Sequence, residues 1–471
     1  MLGSVPSSPG PLRQPGRSPA VGVRPAGTLV QPANPGTLPA SPEEANSFRK
    51  IALYAALTMI FARMTVLPEL LQYVTGINTY LLYILGPPAV LGCVATGGLA
   101  RLFRGRTAWY WIAFFLCIGI AIPASSWVGG SFGLFSAYLR TDLVCLFLIG
   151  GLVVTWKEAK AAMNVMATSG FVLILVARIF AHPDNAGRLN LEMLSEQGTI
   201  SNSNDLAAQV LLVLPFMFYF MMRPKQNNLI RVLVAGCMFY GLRIILGTSS
   251  RGALVGLTAI AIFFFIKSSG SQRIAVLAAV PILALTLVAI LPEANLHRLS
   301  SLFGSDPVPV GTDDEAGESV ASRSYLVRKS IEYTIAHPVF GVGPGQFSNY
   351  EGQSSRNQGQ HGNWHETHNS YTQVSSECGV PALLFMLAGL SSSFVIVNRS
   401  YKRARSLGHK EVSHACRCYL AALTGYLATI TFLACGYRFT LPTMVSLAIA
   451  LHFAAEREMT ACAAAKPPVA V

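Results

Sequence analysis

The sequence predicts an all-α integral membrane protein with about 12 transmembrane helices and one large, partly helical loop on the outer face. Three observations carry that expectation. Hydrophobic residues make up 52% of the 471 residues and charged residues only 12%, with positive mean hydropathy, a balance foreign to soluble domains. Apolar runs of roughly 17–25 residues, the length that spans a hydrocarbon core, recur along the chain. Lys and Arg sit in short clusters between alternate runs.

Taken in order, residues 1–46 hold ten prolines with Gly and Ser and little periodic apolar content. Such a composition buries too little surface to offset its ordering entropy, so this segment reads as a disordered cytoplasmic tail. No short apolar core with a small-residue cleavage site stands near the start, and the first apolar segment, from Ile51, is expected to be retained. Runs at about 51–67, 78–99, 108–122, 136–155, 163–181, 205–222, 229–247, 252–267 and 274–291 supply nine helices within residues 47–291. Runs at about 379–397, 415–435 and 439–455 supply three more within residues 378–456, and residues 457–471 form a second cytoplasmic tail.

The loops assigned to the cytoplasm hold fifteen Lys or Arg, against Arg188, Arg251 and Arg438 in the short loops opposite. That asymmetry places both termini in the cytoplasm. It also accounts for the net charge of +13, and no basic stripe with interleaved aromatics points to nucleic acid. The nine cysteines are scattered, with none between Pro292 and Glu377, so no disulfide framework is indicated.

Residues 292–377 form the large loop. From Pro292 to about Asn369 it carries five Lys or Arg against nine Asp or Glu, a formal charge near −4. Asp313, Asp314, Glu315 and Glu318 read as a solvated tip. Ser322 to His337 reads as an amphipathic helix with Val327, Ile331 and Ile335 on one face, stopped by Pro338. GVGPGQF, Gly341 to Phe347, is a turn-forming stretch.

Arginines on the outer side stand out, because few cations are expected there. Arg251, in GTSSRGALVG, lies between two apolar runs joined by almost no loop, so its charge is held at the membrane edge. A rigid fork of donors suits phosphate or diphosphate. Arg188 and Arg323 are candidates for the same cavity. In ISNSNDL, Asn202, Asn204 and Asp205 precede the sixth run, where Asn and Asp cap helices; a helix N-terminus facing a cavity also attracts anions.

His361, His365 and His368 share a spacing that would line one helical face and suit a metal, but Gly362 and Asn363 are poor helix formers. HETH is also one residue short of the HExxH zinc pattern, and no metal is expected. Ser370 followed by Gln373 reads as a capping box starting a short helix. His368 then sits just before a helix N-terminus, whose dipole favours the neutral imidazole, a form able to accept a proton.

SRGALVG at Ser250 to Gly256, AHPVFGVGPGQF from Ala336 and HNSYTQVSSECGVPALL from His368, in a multi-pass chain, resemble the bacterial O-antigen ligase and polymerase superfamily. The similarity covers roughly residues 180–400. It implies a GT-C-like fold in the bacterial inner membrane and metal-independent transfer of a glycan from an undecaprenyl-diphosphate carrier at the periplasmic face. No cofactor is expected. The ligase signature of His, Asn, nine residues and Gly is matched by His368, Asn369 and Gly379, while Ala382 departs from its usual last residue. By the resemblance, Arg188 and Arg251 hold the diphosphate, Arg323 supports it from the loop, and His368 acts on the acceptor hydroxyl. Asn202, Asn204, Asp205, Asn369 and His365 stand as supporting candidates.

The expected function is that of a ligase moving a lipid-linked polysaccharide onto lipid A core or a similar acceptor. A polymerase joining lipid-linked repeats is the nearest alternative. A transporter of the same lipid-linked glycan and a zinc hydrolase come from other classes. A flippase predicts inverted repeats, and none is visible.

Overall fold

A computed structural model describes residues 46–464 apart from 185–186, 192–198, 201, 275–276, 279–280, 282–284, 287–313 and 360–363. The expected N-terminal tail lies outside the described residues except Asn46, whose side chain caps the first helix by accepting from Arg49 N. The helices are α1 (Ser47–Met64), α2 (Leu67–Thr75), α3 (Leu81–Ala95), α4 (Gly98–Leu102), α5 (Arg106–Ala121) and α6 (Val128–Ala137). A π-helical stretch, Tyr138–Leu143, leads into α7 (Val144–Leu152). Next come α8 (Trp156–Phe180), α9 (Ser203–Met221), α10 (Asn228–Gly247) and α11 (Arg251–Lys267). The large loop contributes α12 (Asp314–Ala336) and α13 (Phe347–Asn357); α14 (Ser370–Ser406), α15 (Lys410–Thr429) and α16 (Thr440–Ala464) follow. Between α8 and α9, β1 (His182–Pro183) pairs antiparallel with β2 (Leu189–Asn190).

Among the described residues, six segments are long and apolar enough to cross a membrane: Arg106–Ala124, Val128–Leu152, Trp156–Phe180, Ser203–Met221, Asn228–Gly247 and Ser370–Ser406. Helices α1 and α2, bent by 68°, make a seventh if they count as one broken span. The chain is a helical membrane protein, with fewer spans by this measure than the expected twelve. The difference has physical causes. Helix α3 has 15 residues with Pro87 and Pro88 inside it, and α11 has 17. Helices α15 and α16 carry His414, Arg417, His452 and Glu456. Most of the run expected at 274–291 lies outside the described residues.

Helices pack where small residues let backbones approach, which matters in lipid because apolar burial alone does not drive helices together. At Gly425 of α15 a Cβ would come 2.5 Å from Ile260 of α11, and at Gly256 of α11 one would come 2.8 Å from the Gly425 carbonyl. Trp111 of α5 is fully buried and donates to the Tyr138 hydroxyl at 3.0 Å. At one end of the bundle Arg49 grips Glu158 through two bonds, 2.6 and 3.0 Å, and donates to the Leu152 carbonyl. Glu158 also closes the capping box with Thr155 that starts α8.

At the other end, α14 is two helices joined at Gly379, whose φ of 85° and ψ of 170° lie in a region open essentially to glycine alone. The break receives the turn that follows α12. Val342 N donates to Ser376 O at 2.8 Å, Gly343 N to Glu377 O at 3.0 Å, and Val380 N to Pro338 O at 2.8 Å. Gly341 has no room for a side chain, since a Cβ would lie 2.5 Å from the carbonyl oxygens of Ser376 and Glu377. The buried Glu377 carboxylate accepts from Gly345 N and Phe347 N. GVGPGQF is thus a turn, as its composition indicates, and it is clamped onto the break in α14.

The loop has its own small core of Leu326, Tyr333, Val342 and Phe347. Beside it the buried Glu351 accepts from Tyr325, Tyr333 and Ser355 hydroxyls at 2.9, 2.8 and 2.6 Å. The amphipathic helix starts earlier than expected, at Asp314, so Asp314, Glu315 and Glu318 belong to its first turns rather than to a separate tip; Asp313 lies outside the described residues. Helix α16 likewise runs to Ala464, past the expected boundary at 456. All nine cysteines are free thiols.

Candidate active site

The site forms where several helices end together. Arg251 is the first residue of α11, and Ser250 caps that helix by accepting from Ala253 N. Above it lies α12, whose Arg323, Ser324, Val327, Arg328 and Ile331 share one face by helical spacing. His368 and Asn369 approach from the segment before α14, and Thr431 and Phe432 from the 3-10 turn after α15. Together these ten residues enclose a cavity of about 610 Å³, the volume range of a ligand site.

His368 is held in a left-handed backbone conformation, φ 51°. Non-glycine residues seldom adopt it, and such strain clusters at functional sites. Its neighbours fix it in place. The buried Thr367 donates to Asn369 O at 3.1 Å, and the Asn369 side chain caps α14 by accepting from Tyr371 N and Thr372 N. Ser370 and Gln373 do not form the expected capping box. The Ser370 hydroxyl donates to Leu433 O and accepts from Cys435 N, and Gln373 accepts from Gly436 N, so both tie the start of α14 to the segment before α16.

Burial pushes the His368 imidazole down to about 4, and the nearby Arg323 and His365 push the same way against a weaker pull from Asp205. The ring is therefore neutral at physiological pH. Burial and the Arg251 charge also lower Arg323, so two of the three guanidiniums that line the cavity repel each other across it. An anion between them relieves their repulsion. Next to a neutral imidazole, such a pair can hold a phosphate dianion while the ring accepts a proton.

The other expected site residues fall nearby in distinct roles. Arg188 is outside the cavity lining; it donates to Asn204 Oδ1 at 2.9 Å and to Thr248 O at 3.1 Å, bracing the turn that delivers Arg251. Asn202 caps α9 by accepting from Asp205 N, and the Asp205 carboxylate pairs with Arg438 at 3.3 Å. Arg438 and Asp205 flank a second cavity of about 20 Å³, room for a single water. His365 is exposed on an irregular stretch, and His361 lies outside the described residues. Among the described residues no group of three His, Cys, Asp or Glu is placed to hold a metal.

Two features escaped sequence reading. Arg328 lines the cavity, and its spacing from Ser324 and Ile331 was the available signal. Arg63 and Asp142 form an ion pair at 3.2 Å, hidden in the sequence because each charge sits inside an otherwise apolar run.

Residues 236–387 match the family described as O-antigen ligase. The chain carries an O-antigen ligase-related domain. The match takes in Arg251, α12, the GVGPGQF turn, His368 and the Gly379 break, and leaves out Arg188 and the turn at Thr431. A comparison with curated proteins gave no match. The O-antigen ligase-related domain thus supplies every charged side chain that lines the large cavity.

Proposed function

We propose that the protein is an O-antigen ligase-like glycosyltransferase that moves a polysaccharide from undecaprenyl diphosphate to a lipid A core or similar acceptor. The observation that carries this reading is the convergence of Arg251, Arg323 and His368, from three separate chain segments, on one cavity within the O-antigen ligase-related domain. In the reaction, the acceptor oxygen attacks the anomeric carbon, the bond to the diphosphate oxygen breaks, and its electron pair leaves with the diphosphate. His368 takes the proton of the acceptor hydroxyl, and Arg251 and Arg323 offset the charge that grows on the leaving group. Arg188 acts one step removed, by holding the turn before Arg251. A single displacement inverts the anomeric centre, and no metal or other cofactor takes part.

The bound donor changes the imidazole. Burial is the main cause that holds His368 down and stays in place, but with the diphosphate between the guanidiniums the added push from Arg323 is offset, so the ring becomes a stronger base once the donor is bound.

The chain is read as a GT-C-like protein of twelve spans in the bacterial inner membrane, with both termini cytoplasmic and the site periplasmic. Support comes from helices α3, α11, α15 and α16, which stand at four of the expected runs although shorter or more polar than a standard span. Purified protein given lipid-linked glycan with and without lipid A core tests the reading. Transfer that requires the core acceptor supports a ligase, whereas growth in repeat number without it replaces that with the polymerase. Transport of the carrier across vesicles without any transfer would favour a flippase instead.

A further inference from the structure

Helix α12 has two apolar faces. Leu326 and Tyr333 turn one of them into the loop core, with the buried Ser330 between them. Roughly opposite, Val327, Ile331 and Ile335 recur every four residues, with Arg323 and Arg328 flanking them toward the cavity; Val327 and Ile331 line the large cavity, and Ile335 is 74% exposed. Past Pro338 the exposed stripe goes on through Val339 and Phe340. Lys329 and Glu332, an ion pair at 3.1 Å, keep to a third face.

This stripe is continuous with the outward side of a helix long and apolar enough to cross a membrane. The Val339 turn is bonded to α14 through Val380 N and Pro338 O, and it lies against Gly379 closely enough to exclude a Cβ. One turn further along α14, Leu384 and Phe385 point outward from a helix long and apolar enough to cross a membrane. On the far side of the cavity, Val255 is exposed one turn below Arg251 on α11. An apolar strip of this extent on a protein surface marks an interaction site. Its lower edge is the lipid-facing side of the bundle.

We propose that α12 lies in the membrane interface, sinking Ile335, Val339 and Phe340 among acyl chains, and that the cavity opens sideways to the bilayer between α12 and the starts of α11 and α14. An amphipathic helix with a charged outer face and an apolar lower face takes this position. A lipid-borne substrate then reaches Arg251 and His368 without lifting its chain into water. The seat in the membrane rests on the membrane-spanning fold alone, and the access route rests on the proposed transfer reaction.

The seat is tested in the full chain in phosphatidylcholine vesicles. Exposed Cys462 is first replaced by Ser, and a bimane probe is attached to a cysteine placed at Ile335, at Phe340, or at the controls Glu332 and Arg356. Acyl-brominated lipid should quench the probes at 335 and 340 strongly and those at 332 and 356 little, with aqueous iodide giving the reverse order. Iodide quenching at 335 and 340 equal to the controls would overturn the proposal, as would shielding from both quenchers, which signals a protein partner or second copy. None of these readings needs turnover. The access route is tested separately with the unlabelled double variant Ile335→Ser, Phe340→Ser. Its KM should rise for a long-chain polyprenyl donor and stay unchanged for a short-chain one; an equal change for both overturns the route while leaving the seat in place.

Discussion

Replacing Gly379 with Ala tests whether the site is built on the break in α14. The residue sits at φ 85°, ψ 170°, and a Cβ there would overlap the Val339 carbonyl and lie 2.9 Å from Pro338 O. The backbone strain costs about 1–3 kcal/mol. Both clashing groups are main chain, so relief requires moving the turn, a further ~1–3 kcal/mol of overpacking. Shifting the turn also strains the bonds from Val342, Gly343 and Val380, each worth about 1 kcal/mol. Gly359→Ala is the control, because Gly359 has φ 73° with nothing within 4 Å of a Cβ, leaving only the left-handed penalty of roughly 1–2 kcal/mol. Thermal unfolding in detergent and limited proteolysis at residues 338–343 read the outcome. Gly379→Ala should melt well below Gly359→Ala and be cut faster in the turn. Equal behaviour of the two variants would refute the clamp.

Three further outcomes follow from the same geometry. Arg323→Gln removes a cation that helps hold His368 down near 4, so the acid limb of the kcat/KM profile should move to higher pH, toward the ordinary histidine value; an unmoved limb separates His368 from proton transfer. Glu351→Ala should destabilise the loop by about 2–4 kcal/mol, since two buried hydroxyls and the part-buried one of Tyr325 lose their acceptor, and Glu351→Gln by less, read by proteolysis between α12 and α13. Arg49→Ala takes the buried partner from the part-buried Glu158, which keeps its bonds from Val154 N and Thr155 N, and should cost about 1–3 kcal/mol by detergent melting while sparing donor binding at the far end of the bundle.

Much of the helical layout was legible because a membrane span needs a long apolar run, and such runs are visible one residue at a time. Arg251 and Arg323 were legible as candidates because few cations are expected on the outer side, and His368 because it stands just before a helix start on that face. What the sequence hid were pairings between distant segments. GVGPGQF looked like a local turn and Gly379 entered only as the Gly of a signature, yet they are one clamp joined by bonds from 342 to 376 and from 343 to 377. Ser370 and Gln373 have the spacing of a capping box, but their polar atoms are taken by Leu433, Cys435 and Gly436, and Asn369 caps the helix instead. Arg188 looked equivalent to Arg251 by charge and position; only the bonds to Asn204 and Thr248 show it bracing the turn. Arg63 and Asp142 are averaged away in any window long enough to find a span.

The division of labour between cation and imidazole is tested most directly by measuring donor binding and turnover on the same two variants. With a polyprenyl-diphosphate-linked glycan as ligand, Arg251→Ala should bind it markedly more weakly, whereas His368→Ala should bind it nearly as well as the unaltered protein and transfer nothing. Equal loss of binding in both variants would contradict this, and would make His368 a residue that positions the substrate rather than one that takes its proton.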